Sequence, residues 1–246
     1  MAEREGKGKV YIVGAGPGDP ELLTVRAKRL IEGASYIVHD ALVGEETLSF
    51  AREDAKLINA GKRRGKHRME QDEINNLLAE LAASGKEVVR LKGGDPFIFG
   101  RGAEEALFLK SHGIDFEVVP GLSSALAGPC LSNLPLTLRG VSDRVLILSA
   151  RGPGGGEINW DCINVAGQTT VFMMGLSGAG YIAEKLREHG FPERTPVAVI
   201  FNASLKTQHV VITDLKGLPS SFSPEESDSP GLIVVGESVK YVRELG

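Results

Sequence analysis

The sequence predicts an α/β protein built as two α/β domains, and three observations carry that expectation. Short β-prone apolar runs alternate with amphipathic stretches through the first half, the pattern of a parallel sheet covered by helices. Asp115-Phe116-Glu117-Val118-Val119 then runs into Pro120-Gly121, and beyond that break a second alternation begins. A chain of 246 residues has room for one large domain or two modest ones, at roughly 100–200 residues per domain. The boundary is therefore placed at the break, giving domains of residues 8–119 and 120–246.

Taken in order, Val10-Tyr11-Ile12-Val13 reads as a strand entering Gly14-Ala15-Gly16-Pro17-Gly18-Asp19-Pro20. A dinucleotide fingerprint would need its third glycine at position 19, which is Asp19. Asp19 and Pro20 instead suit a helix start, as N-cap and first helical residue. A carboxylate there takes the helix N-terminus that a pyrophosphate would need, which disfavours a nicotinamide or flavin site. One helix is expected from Pro20 to about Glu32. Tyr36-Ile37-Val38-His39-Asp40 is an apolar strand ending in an acid, which either caps the next turn or faces a ligand crevice at the sheet mouth. Lys56-Leu57-Ile58-Asn59-Ala60 is a further strand, and an amphipathic helix spans about Glu70 to Ser84.

Between these two lies Gly61-Lys62-Arg63-Arg64-Gly65-Lys66-His67-Arg68, with five permanent cations in a chain of net charge −4. The residues alone allow a solvated loop or an anion-binding one. No aromatic residue interleaves the cations, which argues against single-stranded nucleic acid.

Glu87-Val88-Val89-Arg90-Leu91 precedes the stretch on which the chain is centred, Lys92-Gly93-Gly94-Asp95-Pro96-Phe97-Ile98-Phe99-Gly100-Arg101-Gly102, with a helix following from Ala103. This is a strand-to-helix connection of the kind that holds ligands in open parallel sheets. Its glycine pair removes the Cβ atoms that keep a ligand from the backbone.

In the second half, residues 122–131 read as a helix of small residues, including Ser123 and Ser124. Strands follow at Val145–Ser149, Thr169–Met173, Val197–Phe201, Val210–Thr213 and Leu232–Val235, with a helix near Tyr181–His189. Gly152-Pro153-Gly154-Gly155-Gly156 lacks the Gly-Lys-Ser/Thr ending of a phosphate loop. Trp160 reads as packing, and Ser220 to Pro230 as a mobile surface loop.

Composition narrows the function classes. Hydrophobic content of 42% and charged content of 24% are globular values. The modest net charge of −4 gives no global attraction to nucleic acid or anionic membrane. Cys130 and Cys162 lie in no metal-ligand spacing and read as reduced thiols, so no metal is expected. The polar lead-in Met1–Gly8 has no apolar core of a signal peptide. No apolar run approaches the ~20 residues that span a bilayer. A soluble, cytoplasmic protein is the expectation.

Gly-Gly-Asp-Pro-Phe-Ile-Phe-Gly-Arg-Gly at 93–102 resembles the signature of the tetrapyrrole methylases. The Phe-Ile-Phe-Gly-Arg-Gly tail is similar to that of the branch acting on uroporphyrinogen III, and the resemblance runs from about Gly8 to about Arg243. It implies the fold of that family, two α/β domains with an S-adenosylmethionine (SAM) site in the cleft between them, and a homodimer. It implies methylation of uroporphyrinogen III at C2 and C7, giving precorrin-2 by way of precorrin-1 in sirohaem or cobalamin-type synthesis, with S-adenosylhomocysteine released. Carried over by position, the donor site comprises Pro17, Gly93, Gly94, Asp95, Ile98, Ser123, Ser124, Met174 and Ala203. Asp40 matches the family's proposed proton acceptor and Lys62 its proposed proton donor. Arg63, Arg64, Lys66, Arg101 and Arg139 are the candidates for the substrate's carboxylates, since Arg and Lys donors suit carboxylate recognition.

The chain departs from the family at several places. Leu138 stands where members read His, Ser123-Ser124 where they read Thr-Ala, Ala103 for a usual glycine, and Phe201-Asn202-Ala203 for a more acidic run. The donor pattern is intact and the substrate pattern less so. Two other readings stay open: a sister methylase acting on a later precorrin, and a non-catalytic tetrapyrrole carrier.

Overall fold

The computed structural model describes residues 8–61, 69–152 and 156–245. They form two compact units, Met1–Ser123 and Ser124–Gly246.

The first unit is a five-stranded parallel sheet. Its strands are β1 (Lys9–Gly14), β2 (Tyr36–His39), β3 (Lys56–Asn59), β4 (Val88–Lys92) and β5 (Asp115–Val119), in the order β3-β2-β4-β1-β5. Four helices connect them: α1 (Val25–Gly33), α2 (Glu45–Leu48), α3 (Gln71–Ala83) and α4 (Gly102–Ser111). Alternation along the strands sorts the core into two layers. Val13, Ile37, Val89, Leu91 and Val119 pack against Ala27 and Ile31 of α1. Val10, Ile12, Val38 and Val88 pack against Ile74, Leu78 and Ala82 of α3 and against Ala106 and Leu109 of α4. Each fully buried aliphatic side chain contributes about 1.5–3 kcal/mol. As the middle strand, β4 is buried along its whole length. Yet it carries Arg90 and Lys92 on the α3/α4 face.

The helix expected over Pro20–Glu32 is broken in two. Pro20–Leu22 form a single 3-10 turn capped by Asp19, whose carboxylate accepts from the Glu21 N–H at 2.8 Å. Leu23 and Thr24 are then extended, and α1 starts afresh because the Thr24 hydroxyl accepts from the Ala27 N–H at 3.1 Å. A threonine that caps a new helix competes with continuation of the old one. The α3 start follows the sequence reading closely. Glu70 and Glu73 close a reciprocal capping box, with the Glu70 N–H donating to Glu73 Oε2 at 2.7 Å.

The second unit opens with α5 (Ser124–Leu131). It continues through β6 (Ser142–Ser149), β7 (Gly167–Met173), α6 (Ala179–Glu188), β8 (Pro196–Phe201), β9 (His209–Asp214), β10 (Gly231–Val235) and α7 (Val242–Leu245). Its sheet runs β6-β7-β10-β8-β9. The β6/β7 pair is parallel, and β10 is antiparallel to both β7 and β8, as β9 is to β8. Trp160 is buried, tilted on Phe172 and edge-on to Tyr181, so it serves packing as read. The stretch expected to be a mobile loop, Ser220–Pro230, carries ordered turns instead. Glu226 accepts from the Ser223 N–H at 2.8 Å and faces His209 Nε2 at 3.1 Å, and Glu226–Asp228 form a 3-10 turn. Its serines and acids bond one another and the strand beside them.

Candidate active site

The carboxyl ends of β1 and β4 lie side by side in the first unit. From β1 the chain leaves toward the α1 face, and from β4 toward the α4 face. Such a divergence opens a crevice at the strand ends. The two loops are tied across it: the Gly94 N–H donates to Gly16 O at 2.7 Å and the Gly16 N–H to Gly94 O at 3.2 Å. Pro17 extends from one loop, and Gly93, Gly94, Asp95 and Ile98 from the other.

Three backbones meet behind this tie. A Cβ on Gly14 would lie 2.6 Å from Gly121 Cα and from Gly94 O, so neither Gly14 nor Gly121 has room for one. Gly93 is different. A Cβ there would meet only Leu42 Cβ, at 3.5 Å, an ordinary contact. Open space in front of Gly93 is therefore available to something other than the protein. Gly94 has φ +67° and is a glycine for backbone reasons whatever binds nearby.

The Asp95 carboxylate holds this shape from inside the loop. One oxygen accepts from the Phe97 N–H at 2.9 Å and the other from the Gly121 N–H at 3.1 Å. Ser123, which ends the unit, is buried, and its Cα lies 3.9 Å from where a Gly94 Cβ would be. Phe97, Ile98 and Phe99 present an exposed apolar edge beside it.

Asp40 follows β2, next to β4 in the sheet. Its turn is made by the backbone, with the Val43 N–H donating to Asp40 O at 3.2 Å. The carboxylate is thus free for another role, and it accepts from Arg90 Nη2 at 2.5 Å with about a third of the side chain exposed. Behind it runs a buried line of charge. Arg90 Nε donates to Glu105 Oε1 at 3.0 Å, and Lys92 Nζ donates to the same oxygen at 2.8 Å. Glu105 is 0% exposed and the two cations 2% each. Burial, and then the neighbouring Arg90 charge, holds the Lys92 ammonium below its ordinary range. Sequence reading passed over Arg90, Lys92 and Glu105. The available signal was two cations at alternate positions of an otherwise apolar strand, which share one face.

Lys62, Arg63, Arg64 and Lys66 lie outside the described residues. Gly61, just before them, packs on the Asp40 turn: a Cβ on Gly61 would lie 2.3 Å from Ala41 Cβ. Arg101 caps α4 with φ +61° and pairs with Glu104 Oε2 at 2.6 Å, so its charge is partly engaged already. In the second unit, β7 and β8 point the same way, since β10 is antiparallel to each. Met174 and Ala203 therefore sit at one end of that sheet. Met174 is exposed with φ +57°, and Ala203 is covered by α5, where a Cβ on Gly128 would come within 3.2 Å of it. Ser124 begins α5. Arg139 is exposed, in the turn where Leu138 and Ser142 exchange backbone hydrogen bonds at 2.9–3.0 Å. Leu138, the departure from the family's His, is half-buried in that turn.

Comparison with known proteins places this arrangement. The profile of the family described as Tetrapyrrole (Corrin/Porphyrin) Methylases matches residues 9–219. A siroheme synthase from Pseudoalteromonas atlantica is 46% identical over 241 residues, covering 98% of this chain and 52% of that protein. One from Pseudomonas aeruginosa is 45% identical over 239 residues, covering 97% and 51%. The chain thus spans about half the length of the curated relatives it matches. A crystal structure of uroporphyrin-III C-methyl transferase from Thermus thermophilus, complexed with S-adenyl homocysteine, superposes with a TM-score of 0.82 at 39% identity. That match covers 95% of this chain and 99% of the other. A cobalt precorrin-4 methyltransferase shares the fold at a TM-score of 0.81 and 24% identity. With a family profile matched over residues 9–219 and relatives above 40% identity along nearly its whole length, the chain belongs to the tetrapyrrole methylases.

Proposed function

We propose that the chain is a SAM-dependent C-methyltransferase that converts uroporphyrinogen III to precorrin-2, by methylation at C2 and C7 through precorrin-1. The observation that carries this reading is the near-complete match to the Thermus thermophilus enzyme, at 39% identity over 99% of that chain. The resemblance of the Phe97–Gly102 tail supports it over a sister methylase, and the likeness to the precorrin-4 enzyme, at 24% identity, stays at the level of fold.

The strand-end crevice fits a donor of this kind. Gly93 faces open space, the backbone is brought forward at Gly94, and Ile98 offers apolar surface. When bound, SAM supplies a methyl group on a sulfonium, an electrophile that needs no metal. Carried over by position from the family, Pro17, Gly93, Gly94, Asp95, Ile98, Ser123, Ser124, Met174 and Ala203 are the residues that would hold it. The chain's work is then to fix the reacting carbon at near-attack distance, an effect that can reach about 7–11 kcal/mol. Protons must also move, since alkylating a pyrrole carbon changes the protonation of the ring. Asp40, partly exposed and held by Arg90, is the acceptor in this reading, and Lys62 the donor. Arg63, Arg64, Lys66, Arg101 and Arg139 would meet substrate carboxylates.

A cytoplasmic homodimer completes the proposal, and sedimentation of the purified chain tests its oligomeric state. Among the described residues, no helix is long and apolar enough to cross a membrane. The reaction is tested by incubating uroporphyrinogen III with methyl-labelled SAM and resolving the products by mass. Products one and two methyl groups heavier are expected. SAM binding without methylated product would favour a sister methylase, and no SAM binding would favour a tetrapyrrole carrier.

A further inference from the structure

Asp40 does not stand alone at the sheet edge. We propose that the buried Glu105–Lys92 pair positions it, acting through Arg90. The inference rests on the reading of Asp40 as proton acceptor and adds the residues that aim it.

Every nitrogen of the Arg90 guanidinium is committed. Nε donates to Glu105 Oε1, Nη1 lies 3.3 Å from Val38 O and 3.4 Å from Leu91 O, and Nη2 reaches Asp40 Oδ1. A planar fork fixed at Nε and Nη1 leaves little freedom at Nη2. Glu105 is the fixed point of the arrangement. Its Oε1 accepts from Arg90, from Lys92 and, at 3.3 Å, from Gln71 Nε2. Glu105 Oε2 is buried and finds no hydrogen-bond partner among the described residues.

An ion buried with one oxygen unsatisfied is not what packing alone would select, because burying a carboxylate costs several kcal/mol even after relaxation. The charges alternate from the interior outward: Lys92 cation, Glu105 anion, Arg90 cation, Asp40 anion. Lys92 keeps Glu105 from being overdrawn toward Arg90, and Glu105 keeps the guanidinium from sliding toward Asp40. The last member is the only one with substantial exposure. The buried members thus serve the position of a group at the surface.

The test is a double-mutant cycle on turnover and donor affinity in the full chain, using Glu105→Gln and Asp40→Asn. Glu105→Gln keeps shape and acceptor but removes the charge. Its kcat is expected to fall by up to about 10²-fold, as for a misplaced catalytic group. The Kd for SAM should stay within twofold, and in the Asp40→Asn background the same change should have no further effect on kcat. Wild-type kcat in Glu105→Gln, or an equal loss in both backgrounds, overturns the proposal while leaving Asp40 in its role. Wild-type turnover in Asp40→Asn alone removes the proton-acceptor reading, and this inference with it. Should Glu105→Gln fail to fold, Glu105→Asp, which keeps the charge but withdraws it by one methylene, is judged by the same cycle.

Discussion

The two sheets bury polarity of different kinds. On the first, the buried polar groups at the centre are the ions Arg90, Lys92 and Glu105. On the second they are uncharged, chiefly hydroxyls: Ser142 Oγ lies 2.9 Å from Thr169 Oγ1, which lies 2.8 Å from Ser238 Oγ. Bonded hydroxyls are cheap to bury and fix how a strand and its neighbours register. Buried ions are costly and give packing nothing that Leu or Met would not. The ions also lead to a partly exposed carboxylate at the sheet mouth, whereas the hydroxyl chain passes on to backbone carbonyls, of Leu136 and Arg144. On the proposed reading of Asp40, the first sheet's carboxyl edge is the place where stability is given up for chemistry. The second sheet keeps a well-bonded frame whose strand ends carry Met174 and Ala203.

Unfolding experiments break or sharpen this contrast most strongly. Glu105→Ala strands two buried cations and should lose about 3–5 kcal/mol. Ser238→Ala leaves Thr169 its bond to Ser142 and should lose about 1 kcal/mol. Equal losses by urea denaturation would erase the distinction between the sheets.

Next in size is Gly93→Ala. The protein has room for this Cβ, so the melting temperature should hold, while SAM affinity falls by the ~1–3 kcal/mol of an overpacked contact. Calorimetry with unchanged affinity would take the β4 loop out of the donor site. Gly94→Val is the weaker probe, because its positive φ confounds strain with ligand contact.

Lys92 gives a pH signature. Its ammonium titrates below its ordinary 10.5 in the folded chain, so between the two values the unfolded chain binds more protons. Stability must then rise with pH through that window, by at most about 1.4 kcal/mol per pH unit. Denaturation of wild type against Lys92→Met between neutral pH and 10 should show wild type gaining on the variant. A constant difference would mean that Lys92 is not buried as described.

The smallest effects belong to the basic loop. Arg63→Ala and Arg64→Ala should raise KM for uroporphyrinogen III by roughly 0–1 kcal/mol each if the contacts are solvated, and less at high salt. SAM affinity should be untouched. Unchanged kinetics at low and high salt would move the search for carboxylate contacts to Arg101 and Arg139.

Much of the first unit was legible because its signals are local. The strand before Gly93, the glycine pair and the Asp95 turn are contiguous, and α3 shows as an amphipathic run from about Glu70. What escaped were relations across the chain. Arg90 and Lys92 read as interruptions of a strand until Glu105, on the following helix, is seen against them. The break at Thr24 was hidden because capping and helical residues share one apolar pattern. Strand direction in the second unit was equally hidden, since an apolar run such as Leu232–Val235 pairs either way.

The buried charges and the proposed proton transfer meet at Asp40, and one measurement there is the most direct. Asp40→Asn keeps the shape of the Arg90 contact but removes the base. Single-turnover transfer from labelled SAM to uroporphyrinogen III should slow by about 10²–10⁴-fold, with SAM affinity within twofold of wild type. Near-normal transfer by a folded Asp40→Asn chain would contradict the account, leaving Asp40 a tethered turn residue and the buried charges behind it without a chemical purpose.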